Sequence, residues 1–162
     1  AEHDAYMLTD RAGQDIAAAG MNATARDLAR FGEMLRNRGR FNGQQIVPAR
    51  VIDAIAAGGD HASFRAANPI PARANWTNRS QFWIMHDEDR AFTLLGVRGQ
   101  RLYVNPRAGL VVVTLGSHAM PGTGFTEPMH QNLYTALKQA LGSTRVLRTP
   151  LQHNQMTHPR QP

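Results

Sequence analysis

The sequence predicts an α+β fold in which a C-terminal helix covers one face of an antiparallel sheet. Three short apolar runs follow one another at residues 91–97, 100–105 and 110–115. Gly-containing connections separate them, which is typical of strands that fold back on their neighbours. An amphipathic segment at 127–141 comes next. Because such a sheet has an apolar face to bury, we expect this segment to be a helix that packs against it.

Composition excludes several classes of protein. The 162 residues are 42% hydrophobic and 19% charged, as in an ordinary soluble domain. No apolar run approaches the roughly 20 residues that a membrane-spanning helix needs, so we expect no membrane partner. The net charge is +6, but the arginines are scattered along the chain and Lys138 is the only lysine. Nucleic-acid binders concentrate their charge on one face, so we expect no nucleic-acid partner.

The first half of the chain shows one short strand and one clear helix start. Residues 5–9 have the aromatic and apolar content of a strand. Thr24 can cap the following backbone amides, and Asp27 places a carboxylate in the first helical turn. Apolar side chains then recur at helical spacing until Gly39, which ends the helix. Those predicted to form its buried face are Leu28, Phe31 and Leu35.

The middle of the chain is harder to interpret. Residues 41–47 form a turn with a short extended stretch, and Pro48 opens a second helix that ends at Gly58 and Gly59. The apolar residues of that helix are Val51, Ile52 and Ile55. Residues 60–78 contain two prolines and no periodicity, which predicts a long surface loop that serves as a wall or lid. A strand is expected at 80–86.

The chain divides into two regions that differ in composition. Residues 1–142 carry the predicted elements of one folded region. Residues 143–162 are polar and contain three prolines, which predicts a disordered tail.

Two blocks of sequence resemble a known family. Residues 20–48 are similar to the region after the active-site tyrosine in class C β-lactamase-like serine hydrolases. The block from Gln81-Phe82-Trp83 to Asn105-Pro106 resembles the branch that includes 6-aminohexanoate-dimer hydrolases. This resemblance implies that residues 1–142 are the C-terminal portion of one serine hydrolase domain. It further implies a penicillin-recognising fold and acyl transfer to a serine. It also implies a periplasmic or secreted protein, although a cytoplasmic location stays open.

In that family the nucleophile is the serine of a Ser-x-x-Lys motif, and a Tyr-x-Asn-type motif assists it. None of the serines here has a lysine three residues later. They are Ser63, Ser80, Ser117 and Ser143. Tyr103-Val104-Asn105 matches the second motif literally, but it lies in a predicted strand before a proline turn, so we reject it. We therefore expect both motifs upstream of Ala1, in an N-terminal remainder of the same domain that acts as its partner.

The resemblance assigns part of an oxyanion hole to this chain. Gly96 is the glycine that lets substrate approach, and the backbone N–H of Val97 is the donor. Arg98 and Gln100 are expected to line the cleft and bind substrate, and Asn22 to border it. Leu94-Leu95-Gly96 stands where β-lactamases have Lys-Thr-Gly, which favours a small amide or ester over a β-lactam. The alternative is that Gly96 and Gly99 only form a tight hairpin.

No cofactor and no metal are expected. The run His86-Asp87-Glu88-Asp89 contains metal-binding side chains, but consecutive residues of a turn rarely converge on one ion. Trp76 and Trp83 are open either to substrate contact or to a place in the core. Two function hypotheses follow. The chain is the C-terminal part of a serine hydrolase of amides or esters, or it is an inactive, truncated or degenerate member that acts as a binding module.

Overall fold

The structure, a computed structural model, describes residues 2–16 and 20–148. In chain order the strands of the first half are β1 (Tyr6–Met7), β2 (Met21–Asn22), β3 (Arg40–Phe41) and β4 (Gln44–Gln45). Those of the second half are β5 (Thr77–Arg79), β6 (Phe82–Ile84), β7 (Phe92–Leu95), β8 (Arg101–Asn105) and β9 (Leu110–Thr114). The α-helices are α1 (Ala25–Arg36), α2 (Ala49–Ala56), α3 (His61–Ala67) and α4 (Glu127–Arg148).

Strands β5 to β9 form one antiparallel sheet in which each strand pairs with the next along the chain. The register places Leu94 opposite Leu102 and Val104 opposite Val111. The three strands predicted from the apolar runs are confirmed as β7, β8 and β9. Each is one to three residues shorter than its apolar run, because the run includes residues of the adjoining turns.

One face of this sheet packs against α1 and α2. Side chains from both helices and from alternate positions of the strands form a buried cluster. Its members are Met34, Leu35, Ile52, Ile55, Ile84, Phe92, Leu102 and Val104. Gly32 lets α1 approach the sheet closely, since a Cβ atom there would lie only 2.6 Å from Cγ1 of Val111.

The opposite face packs against α3 and α4, which confirms the predicted C-terminal cover. The second buried cluster contains Phe64, Trp76, Met85, Ala91, Tyr103 and Tyr134. The rings of Tyr103 and Tyr134 stack with centroids 3.8 Å apart and an angle of 10° between their planes. The sheet is therefore covered on both faces, and Trp76 and Trp83 belong to the core on the α4 side.

The predicted start of α1 is confirmed, but one of its predicted core residues is wrong. Oγ1 of Thr24 accepts a hydrogen bond from the Asp27 N–H at 3.1 Å. Leu35 is buried, whereas Phe31 is 39% exposed. The helix rests on the sheet through Gly32 and Leu35, which turns Phe31 outward. In α2 Ile52 and Ile55 are buried, while Val51 faces out.

The predicted loop at 60–78 is wrong. This segment contains α3, a 3-10 turn at Pro71–Arg73 and the start of β5. The Asp60 carboxylate caps α3 by accepting a hydrogen bond from the Ser63 N–H at 2.7 Å. Because α3 has only seven residues and buries a single aromatic side chain, Phe64, it shows no periodicity in the sequence.

Helix α4 continues to Arg148, beyond the predicted end at residue 141. The rest of the predicted tail, residues 149–162, lies outside the described residues. Within the described ranges, no helix combines the length and apolar character that crossing a membrane requires.

Candidate active site

Val97 follows β7 at the first position of a short 3-10 turn, Val97–Gly99. Its side chain is 61% exposed. Within the described residues, its backbone N–H donates to no protein acceptor. The preceding residue is held in place, because Gly96 N donates to the carbonyl of Gln100 at 2.8 Å. The structure therefore presents a free backbone donor on a fixed turn.

The edge of β7 is open beside this donor. Strand β6 pairs with Phe92 and Thr93 but not with the two residues that follow. Leu94 and Leu95 pair with β8 on their other side. Among the described strands, the last two residues of β7 are thus unpaired on one edge, directly before Gly96 and Val97. An extended amide can hydrogen-bond to such an edge as an added strand.

The two glycines of the turn differ in what they require. Gly99 has a φ of 90°, and a Cβ atom there would lie 2.0 Å from the His118 ring. The hairpin interpretation therefore accounts for Gly99. Gly96 has a φ of −105°, which any residue adopts, and a Cβ atom at this position would be 3.1 Å from the Cβ of Gln100. The backbone conformation does not demand a glycine at position 96, although a Cβ atom there would press against Gln100.

Arg98 lies in the turn with its guanidinium directed at the loop that follows β9. Nη1 donates to the carbonyl of His118 at 3.1 Å and to that of Ala119 at 2.9 Å. The backbone of Arg98 is left-handed, with a φ of 60°. The predicted substrate-binding side chain thus makes contacts within the protein.

The other predicted substrate residues are Gln100 and Asn22. Gln100 is exposed and lies beside Gly96. Asn22 belongs to the separate two-stranded sheet of β1 and β2, where it pairs with Tyr6. Its side-chain amide donates to the carbonyl of Gly20 at 3.0 Å. The structure therefore brings residues 96–100 together and leaves Asn22 in its own hairpin.

A buried ion cluster next to the turn was not predicted. The Glu127 carboxylate accepts hydrogen bonds from Arg73 and Arg101, and all three side chains are buried. Burial favours the neutral carboxylic acid, but the hydrogen bonds and charges of the two guanidinium groups outweigh it and lower the pKa of Glu127. The Arg73 guanidinium also lies about 5 Å from the rings of Trp76 and Trp83, at 5.3 and 5.1 Å from their centroids.

Tyr103 has no access to the 96–100 turn. Its ring is 2% exposed, and its hydroxyl accepts a hydrogen bond from Nδ2 of Asn105 at 2.9 Å. Burial raises the pKa of this phenol. The rejected Tyr-x-Asn match is therefore a core tyrosine beside a turn-forming asparagine, whose Oδ1 accepts from the Ala108 N–H.

The acidic run at 86–89 has structural partners. Oδ1 of Asp87 accepts from the Ala91 N–H at 2.9 Å, and Asp89 pairs with Lys138 on α4. His86 bonds to the hydroxyl of Thr77 at 2.7 Å. Across residues 2–16 and 20–148, no three metal-binding side chains come together.

Comparison with known proteins finds relatives that are named as hydrolases. It is 28% identical over 141 residues to a 6-aminohexanoate-dimer hydrolase of Paenarthrobacter ureafaciens, covering 87% of this chain and 36% of that protein. A solved structure from Bacillus anthracis, provisionally described as a 6-aminohexanoate-dimer hydrolase, is 37% identical and superposes with a TM-score of 0.72. That match covers 86% of this chain and 34% of the other.

The chain thus spans about a third of the length of these relatives. The model of the family described as Beta-lactamase matches residues 1–134. With the sheet, its C-terminal helix and the solved relative in agreement, the chain belongs to the beta-lactamase family.

Proposed function

We propose that this chain forms the oxyanion-stabilising wall of a serine hydrolase that cleaves amide or ester bonds through an acyl-enzyme. The observation that carries the proposal is the Val97 N–H, exposed and without a protein acceptor among the described residues, at the end of an open strand edge. During acyl transfer the carbonyl oxygen gains negative charge, and backbone donors of this kind stabilise it. In this proposal the second donor is the N–H of the nucleophilic serine.

The nucleophile and its base belong, in this proposal, to a segment N-terminal to Ala1. None of the serines in the chain is followed by lysine at the third position. A Ser-x-x-Lys motif and a Tyr-x-Asn-type motif would come from that N-terminal remainder. In this proposal the remainder packs against the unpaired edge of the sheet and the exposed face of α4. Strand β9 pairs only with β8 among the described strands, and α4 exposes Met129 and Leu133.

The substrate we propose is a small linear amide or ester. Leu94 and Leu95 place no cationic or hydroxyl group where a β-lactam carboxylate would be held. The open edge of β7 offers backbone groups instead, and these suit an extended amide. The relatives are named for hydrolysis of the 6-aminohexanoate dimer, and we extend that class of substrate to this chain.

The test begins with the coding sequence upstream of Ala1. The protein encoded together with this upstream segment is called the extended protein. It and the 162-residue chain would each be assayed with 4-nitrophenyl esters and with the 6-aminohexanoate dimer. Each would also be treated with a fluorophosphonate, which labels activated serines. We expect the extended protein to turn over substrate and to be labelled, and a serine-to-alanine change in its Ser-x-x-Lys motif to abolish both. The 162-residue chain should do neither, because in this proposal the activated nucleophile belongs to the upstream segment.

Two results would contradict the proposal. Hydrolysis by the 162-residue chain alone, unaffected by the fluorophosphonate, would show chemistry that needs no upstream serine. An upstream sequence without a Ser-x-x-Lys motif would instead favour the inactive binding member.

A further inference from the structure

We propose that Arg98 is a positioning residue, which fixes the direction of the Val97 N–H by fastening the 96–100 turn to the loop at 116–121. This inference rests on the proposed function. Arg98 was predicted from the sequence to bind substrate. In this proposal it instead holds the protein's own backbone in position.

Four hydrogen bonds join Arg98 to this loop. Its N–H donates to the carbonyl of Pro121 at 3.1 Å, and its carbonyl accepts from the His118 N–H at 3.0 Å. The two bonds from Nη1 reach the carbonyls of His118 and Ala119. Both hydrogens of Nη1 are therefore used within the protein.

Close packing reinforces the same contact. A Cβ atom at Gly116 would lie 2.8 Å from the carbonyl oxygen of Arg98, and the His118 ring lies directly against Gly99. The ring of Phe125 meets that of His118 edge to face, with centroids 5.9 Å apart. The turn and the loop therefore pack closely against each other.

These contacts determine where the Val97 N–H points. The peptide plane after Val97 is fixed by the bond from Arg98 N to Pro121. The residue before Val97 is fixed by the bond from Gly96 N to the carbonyl of Gln100. The donor thus lies between two anchored points.

The backbone of Arg98 makes its side chain important for this arrangement. A φ of 60° is unfavourable for a residue with a Cβ atom and persists only where surrounding contacts enforce it. The guanidinium bonds are part of that enforcement. Without them the residue can return to negative φ, which would rotate the adjoining peptide planes and the Val97 N–H with them.

The first test uses hydrogen exchange on the 162-residue chain. We expect Arg98→Ala to accelerate exchange of the Arg98 and His118 amides about tenfold or more, while amides in the core of the sheet keep their rates. Arg107→Ala is the matched control, because Arg107 is an exposed arginine in the β8–β9 turn of the same sheet. Unchanged exchange at both amides in Arg98→Ala would overturn the proposal.

The second test measures turnover by the extended protein with two esters that differ only in carrying a neutral or an anionic acyl group. A displaced oxyanion donor predicts a fall in kcat of about tenfold to hundredfold for both esters, with KM changed less than about twofold. A substrate contact predicts instead that KM rises for the anionic ester alone, and that result would overturn the proposal. So would wild-type turnover in Arg98→Ala.

The two proposals fail in different ways. An inactive wild-type extended protein would reject the proposed function, whatever Arg98 does. An active wild type whose Arg98→Ala variant keeps its kcat would reject only the role of Arg98.

Discussion

Arg101 and Glu127 form a two-point ion pair that is closed to water. Nη1 of Arg101 lies 3.0 Å from Oε1 of Glu127, and Nη2 lies 3.0 Å from Oε2, with both side chains 0% exposed. Arg73 contributes a second guanidinium at 2.8 Å from Oε2. Since Arg101 begins β8 and Glu127 begins α4, the pair fastens the candidate active-site turn to the C-terminal helix.

Removing the central charge of this cluster should strongly destabilise the protein. Glu127→Gln leaves two buried guanidinium groups without a counter-charge, and breaking a buried pair in this way costs about 3–5 kcal/mol. We expect the urea midpoint of unfolding to fall accordingly. Arg38→Gln is the control, because Arg38 pairs with Asp53 on the surface with both side chains more than half exposed (66% and 51%). An equal fall in both variants would contradict the special role of Glu127.

The strands and α1 could be predicted because their signals are local. Short apolar runs, turn residues and the Thr24 cap act over a few positions, and the structure confirms each of them. The resemblance to a family added Val97 as the candidate donor. Local signals could not predict which buried charges pair with one another, because the partners are distant in sequence. Arg73 and Glu127 are 54 residues apart.

The role of Arg98 illustrates the same limit. Its left-handed backbone follows from contacts with a loop about 20 residues further along the chain, at His118 and Ala119. A non-glycine residue with positive φ has no dependable signature in sequence. Because Arg98 lies beside a candidate oxyanion donor, its sequence position predicted a contact with substrate. Only the loop contacts show where its guanidinium is directed.

Gly32 should tolerate no side chain, despite lying in a helix. A Cβ atom there would be 2.6 Å from Cγ1 of Val111 and 2.8 Å from Cδ1 of Leu102. Overpacking of this kind costs about 1–3 kcal/mol, whereas alanine gains up to about 1 kcal/mol over glycine in a helix. We expect Gly32→Ala to lower the urea midpoint. Gly142→Ala in α4, where nothing lies within 4 Å, should leave the midpoint unchanged or raise it, and a loss there would contradict the packing argument.

Stability should fall as pH decreases below neutrality. Burial lowers the pKa of His86 and of His130 in the folded protein, in both cases as the largest cause. The unfolded chain therefore binds more protons than the folded chain below a pH of about 6.5, the ordinary pKa of histidine. The stabilisation is complete above that pH and is lost as pH falls through the lower, folded pKa values.

Urea midpoints measured between about pH 8 and pH 5.5 would test this dependence. This range lies above the region where the carboxylates take up protons, so the histidines dominate the slope. A double variant, His86→Gln with His130→Gln, should flatten the profile even if it lowers the midpoint at every pH. If the double variant kept the wild-type slope, these two histidines would not be the source of the pH dependence.

Replacing Val97 with proline would remove the proposed oxyanion donor and little else. The Val97 N–H has no protein acceptor among the described residues, so no internal hydrogen bond is lost. Gly96, with φ of −105° and ψ of 165°, already has the extended conformation that a residue before proline prefers. In the extended protein we expect kcat to fall about 100- to 1000-fold with Val97→Pro, the effect of losing one oxyanion donor. Val97→Ala keeps the N–H and should keep kcat within about threefold, while both variants should show wild-type urea midpoints. If Val97→Pro retained wild-type turnover, the donor would have to be sought elsewhere on the open edge of β7.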